Sequence, residues 1–172
     1  MATTIPAWVN GVLQPVEKLE VHKRGLRHLA VSVFLTNGGK ILLQRRALGK
    51  YHTPGLWANT CCTHPAWGEA AMDCATRRLD EELGIQSPEL THVKNVEYRA
   101  DVGNELVEHE VVDIFTGHAP MDLKMRLNPS EVMETRWVSL RDLNEDIATE
   151  PEKYSPWLRI YLAEHGADIL RR

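Results

Sequence analysis

Apolar residues along this chain come in short runs whose spacing switches between the period of a strand and the period of a helix. Leu29 to Thr36 is apolar and rich in valine, Asn37-Gly38-Gly39 tolerates turn geometry, and Lys40 to Gln44 resumes an apolar run. This pattern predicts a hairpin, with Arg45 and Arg46 at the end of its second strand. Val93 to Ala100 and Val107 to Gly117 read as two further strands joined by a polar link containing Asp, Gly and Asn. Alternation in the second puts Glu108 and Glu110 on one face and His109 on the other. Val132 to Leu140 is another strand by the same reading.

The 3.6-residue repeat takes over from Glu69 to Leu83, with Gly84 as a C-cap. Ala71, Met72, Ala75, Leu79 and Leu83 form its apolar arc, and Arg78 and Glu82 share an edge. That edge either points two charges into a cleft or carries an ordinary surface pair. Ser139 opens a short polar helix, and Ser155-Pro156-Trp157 opens the last one, through roughly His165. From Pro54-Gly55-Leu56-Trp57 to Pro65-Ala66-Trp67-Gly68 the chain reads as a long ordered loop. Together these elements predict a mixed α/β (α+β) domain of packed layers. Residues 1–172 form one unit in this reading, with an N-terminal extension and a C-terminal helical segment.

A chain of 172 residues can build a substantial core without a structural metal, so a cluster of metal-ligand side chains points toward chemistry. The net charge of -4 is spread over mixed acidic and basic residues. No nucleic-acid stripe or polybasic membrane patch is indicated. The N-terminal segment lacks a basic flank followed by an apolar signal core, and no apolar run is long enough to cross a bilayer. Cys61, Cys62 and Cys74 do not make a disulfide framework. Free thiols in a reducing, cytoplasmic setting are the expectation. Nothing in the pattern specifies an oligomeric partner.

The chemistry-bearing residues fall into three groups. Cys62 and His64 are two residues apart, a spacing that serves catalysis, metal binding or simple packing. His22, His28, His64, Glu108 and Glu110 can be gathered by folding into a nitrogen and oxygen site for a divalent metal, or can remain ordinary hydrogen-bonding side chains. Lys18, Arg46, Lys50 and Arg78 can converge on an anion carrying two phosphoryl groups, or remain solvated charges. Trp57, Trp67, Trp137 and Trp157 read as core residues, of which Trp157 can also offer its ring face to a positive charge. Cys74 reads as packed within its helix.

Arg45-Arg46-Ala47-Leu48-Gly49-Lys50, Pro54-Gly55-Leu56-Trp57, Asn59-Thr60-Cys61-Cys62-Thr63-His64-Pro65, Glu108-His109-Glu110 and Ser155-Pro156-Trp157 occur in that order. In this constellation, from about Lys18 to His165, the chain resembles the type 1 isopentenyl-diphosphate isomerases within the broader Nudix-like fold. The resemblance implies a Nudix-like mixed sheet packed between helices and reversible conversion of isopentenyl diphosphate to dimethylallyl diphosphate. It implies Cys62 and Glu110 as the catalytic pair, Tyr98 beside the glutamate and Trp157 facing the prenyl group. Lys18, Arg46, Lys50 and Arg78 match diphosphate-binding positions. His22, His28, His64, Glu108 and Glu110 match ligands of a divalent ion (Mn2+, Mg2+ or Zn2+), and Glu82 a carboxylate serving Mg2+ on the diphosphate.

Arg77, Glu81, Glu82 and Gly84 retain the Nudix helix pattern. Thr63 stands where that pattern has glycine, and Arg78 where the hydrolases have glutamate. A lost carboxylate and a gained cation favour holding a diphosphate over hydrolysing it, which leaves Nudix hydrolysis as the rival activity. A diphosphate-binding regulatory module without turnover is the rival outside enzymes.

Overall fold

The computed structural model describes residues 3–170, so residues 1–2 and 171–172 of the expected domain lie outside the described residues. In chain order the elements are β1 (Thr4–Val9), β2 (Val12–Glu17), α1 (Lys18–Arg24), β3 (Arg27–Asn37), β4 (Lys40–Arg46), β5 (Trp57–Ala58) and β6 (Cys61–Thr63), followed by α2 (Ala71–Leu83), β7 (Thr91–Asp101), β8 (Val107–His118), β9 (Val132–Ser139), α3 (Leu140–Thr149) and α4 (Pro156–Ile169).

β3 is apolar on both faces because both are covered. Val31, Val33 and Leu35 pack with Cys74, Ala75, Leu79 and Leu83 of α2. Ala30 and Phe34 pack on the opposite side with Leu158 and Tyr161 of α4. A mixed sheet lying between helices is therefore the frame, in keeping with the packed layers expected from the patterns and the mixed sheet implied by the resemblance. β3 runs parallel to β8 from Arg27 opposite His109 to Thr36 opposite His118. Along its other edge it pairs in turn with β1, β6 and β4. β7 and β9 extend the sheet through β8 and β4. This puts the start of β3, the start of β8 and the end of β7 side by side at one end of the sheet.

The expected hairpin forms with Asn37 opposite Lys40. Gly38 and Gly39, at φ 53° and 82°, supply the left-handed turn that other residues resist. α2 begins two residues later than the pattern suggests, and α4 continues past His165 to Ile169. Three expectations need correction. The long loop contains β5 and β6, since β6 is held by pairing with β3 rather than by its own three-residue pattern. Met72 does not join the apolar arc of α2 but is exposed, as is Trp67, expected in the core. Both sit around the solvent-facing start of α2, beyond the reach of the sheet.

Gly84 ends α2 at φ 66°. A Cβ there would lie 2.8 Å from the Arg126 amide nitrogen, in the segment whose Arg126 and Asn128 amides donate to the Leu83 and Glu82 carbonyls. Gly84→Ala is expected to cost about 2–5 kcal/mol, the sum of left-handed backbone strain and overpacking. Urea unfolding of the variant against the parent measures it, and an unchanged midpoint contradicts it.

Candidate active site

α1 is short, but Glu17 caps it by accepting from the Leu19 and Glu20 amides, and it delivers Lys18 and His22 to the sheet end. His28 of β3 lies opposite Glu110 of β8, and Glu110 in turn opposite Tyr98 of β7. Glu108 and Glu110 are buried on the same face, while His109 points outward toward Glu97. The Nδ1 atoms of His22 and His28 each lie 2.7 Å from a backbone carbonyl, of Lys18 and Leu26. Each Nδ1–H therefore donates backward and turns Nε2 toward the carboxylates, the orientation metal-binding imidazoles take. Nε2 of His28 and of His64 lie 3.2 and 2.8 Å from Glu110 Oε2, and His22 Nε2 lies 3.7 Å from Glu108 Oε1.

Ligand atoms within 4.8 Å of one another occur in three overlapping groups: His22 with His28 and His64, His22 with His52 and Glu108, and His64 with both glutamates. This donor set of imidazoles and carboxylates fits a divalent cation. Burial drives the His64 imidazole down to about 3. Burial and Glu108 push Glu110 upward, but hydrogen bonds from His28 and His64 outweigh them and leave it below its ordinary value. Burial likewise opposes ionisation of Glu108, and His22 and His52 overcome it. At His28, burial is outweighed by Glu110, which raises the imidazole. Tyr98 donates its single hydroxyl proton between Glu108 Oε2, at 2.6 Å, and Glu110 Oε1.

In front of the carboxylates is a cavity of about 30 Å³ lined by Lys18, Arg46, Lys50 and Arg78 together with Cys62, His64, Glu82, Glu108, Glu110 and Trp157. His22, His28 and Tyr98 stand behind the glutamates. The four cations are thus gathered, two of them from one strand end and the loop after it. Arg46 is buried, and its Nε has no hydrogen-bond partner among the described residues. Such a donor is expensive to leave unpaired, and an anion in the adjoining cavity could satisfy it. Burial, with Lys50 and Arg78 nearby, lowers Lys18 to about 8. Arg78 donates to Glu82 at 2.9 Å and to the Thr63 hydroxyl at 3.1 Å. The two departures from the Nudix pattern therefore touch each other.

Cys61 and Cys62 separate by strand alternation. Cys61 faces α2 and donates to Glu82 at 3.1 Å, whereas Cys62 faces the cavity. The Cys62 thiol donates to Asn59 Oδ1 at 2.8 Å and accepts from the Trp157 indole N–H at 2.9 Å. Burial pushes this thiol far above its ordinary value, against Arg46 and the indole N–H. The Arg46 guanidinium stands 5.2 Å from the Trp157 ring centroid, so the ring face already accommodates a cation. Cys74 of α2 is buried in the core that the helix forms with β3, and does not line the cavity.

Two residues at the site escape a reading of the sequence. Glu131 bridges Lys50 at 2.6 Å and Arg78 at 3.3 Å, neutralising part of the cation cluster. His52 reaches 3.0 Å from Glu108. Neither lies in a periodic element, and no spacing to another ligand marks either one.

Residues 26–158 match the NUDIX domain family, which agrees with a mixed sheet between helices and a carboxylate-bearing helix beside a cation-lined cavity. The fold also matches solved structures. A Deinococcus radiodurans protein has a TM-score of 0.74 at 15% identity, covering 98% of this chain and 99% of that one. A MutT NUDIX hydrolase from Burkholderia pseudomallei has a TM-score of 0.63 at 24% identity, covering 81% and 98%. Much nearer in sequence are proteins named isopentenyl-diphosphate Delta-isomerase. One from Cereibacter sphaeroides is 64% identical over 96% of this chain and 93% of the relative. One from Dinoroseobacter shibae is 61% identical over 98% and 96%. The chain belongs to the isopentenyl-diphosphate Delta-isomerase family of Nudix-fold enzymes.

Proposed function

We propose that this enzyme interconverts isopentenyl and dimethylallyl diphosphate, with Glu110 and Cys62 exchanging protons with opposite ends of the allylic system. The observation that carries this reading is the convergence of a half-buried thiol and a buried carboxyl on one cavity rimmed by four cations. Lys18, Arg46, Lys50 and Arg78 hold the diphosphate, so the five-carbon group reaches inward between the two. Glu110 gives its proton to the terminal alkene carbon, leaving a tertiary cation. The Cys62 thiolate takes a proton from the neighbouring carbon, and that C–H electron pair becomes the new double bond. Fixed placement of acid and base is what makes protonation of an unactivated alkene accessible. Trp157 orients the sulfur through its N–H and presents its ring to the developing charge.

The forward reaction ends with a thiol at Cys62 and a carboxylate at Glu110. Burial at Cys62, and the imidazoles at Glu110, favour that same pair of states. The reverse reaction starts from it, and a new forward cycle needs the proton that Cys62 gained to leave the thiol and a proton to return to Glu110. Tyr98 supports that return: its one proton serves one carboxylate, so a protonated Glu110 can complete the set by donating to the phenol oxygen.

His22, His28, His64, Glu108 and Glu110 would hold Mn2+, Mg2+ or Zn2+, and Glu82 would serve Mg2+ on the diphosphate. Such ions would supply fixed positive charge that orients the Glu110 carboxyl and offsets the substrate's phosphates. The functional unit in this reading is the whole chain, 1–172, as one Nudix-like domain, because α1 and α4 both supply cavity residues. Among the described residues no helix is long and apolar enough to cross a membrane. The three cysteines are free, which supports a cytoplasmic setting.

Isomer-resolved product analysis of the purified protein with isopentenyl diphosphate and a divalent metal tests the reading. Dimethylallyl diphosphate with solvent hydrogen at the reacting carbons is expected. Release of inorganic phosphate or pyrophosphate without isomer formation supports the hydrolase reading, and binding without turnover supports the regulatory module. The pH profile gives a separate check on Lys18. Its ammonium is charged below about 8 and neutral above, so kcat/KM should fall as pH rises through that value. Lys18→Arg, whose guanidinium stays charged, should remove the fall, and an identical profile in the variant would reject the assignment.

A further inference from the structure

His52 is the buried imidazole at the site that this chemistry leaves without a task. It comes from the loop between β4 and β5 and is 2% exposed. Nδ1 lies 2.9 Å from the Thr53 hydroxyl, and Thr53 itself has φ 47°. A β-branched residue in that region is strained and is kept there by its surroundings. Nε2 lies 3.0 Å from Glu108 Oε1 but off the line of a hydrogen bond, and has no other partner among the described residues. The ring stands edge-on to Trp157, with centroids 5.8 Å apart. Its backbone carbonyl accepts from Arg46 at 3.2 Å. One loop residue therefore touches a carboxylate of the metal-type cage, the aromatic that orients Cys62, and a cation of the diphosphate rim.

His52 falls in a ligand-spaced group with His22 and Glu108, whereas the group of three histidines is His22, His28 and His64. That places it at the Glu108 edge of the cage rather than at the shared centre. Resting on the isomerase reading, we propose that His52 is a positioning residue: it fixes Glu108 Oε1 toward the cage while Tyr98 holds Oε2, and it seats Trp157 against Cys62. The terminal torsion of Glu108 is soft, and rotation about it is the motion that would bring Oε1 into line with Nε2.

The test uses the full chain with Co2+ as the probe ion and compares His52→Phe, which keeps a ring without the N–H, with His52→Gln, which keeps a donor. In His52→Phe, Co2+ affinity should fall about 10–100-fold, as when a partner of a metal ligand is removed. The visible Co2+ absorption should shift, and kcat should drop while KM for isopentenyl diphosphate stays near the parent value. His52→Gln should recover much of the affinity and of kcat. Thermal unfolding of both variants identifies a folding defect, and His52→Gln carries the test if His52→Phe does not fold. Parent-like Co2+ affinity, spectrum and kcat in the variants overturn the proposal. Loss of one metal-coupled histidine nitrogen, counted by electron spin-echo spectroscopy of the Mn2+ forms, overturns it differently by making His52 a ligand. Absence of isomerase activity in the parent would strike the functional reading alone, since the Co2+ comparison reports on His52 independently.

Discussion

Cys62→Ala should lower isomer formation about 100- to 10,000-fold, the range that a positioned proton-transfer group contributes, while leaving the metal content of the protein unchanged. The thiol lies outside the His and Glu cage, so its loss removes one end of the proton exchange without disturbing the other. It also removes the acceptor of the Trp157 N–H and the donor to Asn59. Orphaning buried groups costs about 1–3 kcal/mol, so turnover must be read together with thermal unfolding. Cys62→Ser separates the two effects, because a hydroxyl restores both hydrogen bonds but is a far weaker acid than a thiol. Low turnover in both variants, with stability recovered in the serine form, is expected. Preserved isomerisation in either, at parent rates, would remove Cys62 from the chemistry.

Glu110→Gln should be comparably inactive for a different reason. An amide has no proton to give the alkene at neutral pH, and the loss again falls in the range of about 100- to 10,000-fold. Unlike the cysteine variants, this one should also bind divalent metal more weakly, since His28 and His64 both meet the Glu110 carboxylate. Titrating the variant with metal during the assay distinguishes the two losses. If saturating metal restores the parent rate, Glu110 serves only as a ligand and the proton must come from elsewhere. Continued inactivity in the fully metal-loaded variant supports its role as the acid.

Where burial falls with a fixed period, the fold is legible in the sequence. β3, β8 and α2 are long and covered; alternation alone puts Glu108 and Glu110 on one face, and the helical repeat puts Arg78 and Glu82 on one edge without deciding whether that edge meets a cleft or solvent. α1 escapes because seven residues carry too little repeat, and β2 because Val12 and Leu13 on this sheet edge are exposed. The ordered motifs of the family resemblance name side chains from α1, β4, β6, α2, β8 and α4 that periodicity alone does not bring together. Glu131 and His52 belong to no such motif. Their positions follow from where two loops come to rest, which is a property of the assembled sheet end rather than of either segment.

The cavity between Cys62 and Glu110 is small, about 30 Å³. On the proposed reading, a five-carbon diphosphate is larger than this space, so its entry requires the walls to move apart and its prenyl group would displace solvent from beside the reacting carbons. A tertiary carbocation is captured rapidly by any water within reach, which would divert the reaction to an alcohol. Tyr51, whose hydroxyl lies 3.4 Å from His22 Nε2, lines this space together with Trp157 and His52, and on the proposed reading these walls would govern fidelity as much as rate by leaving the cation only proton loss.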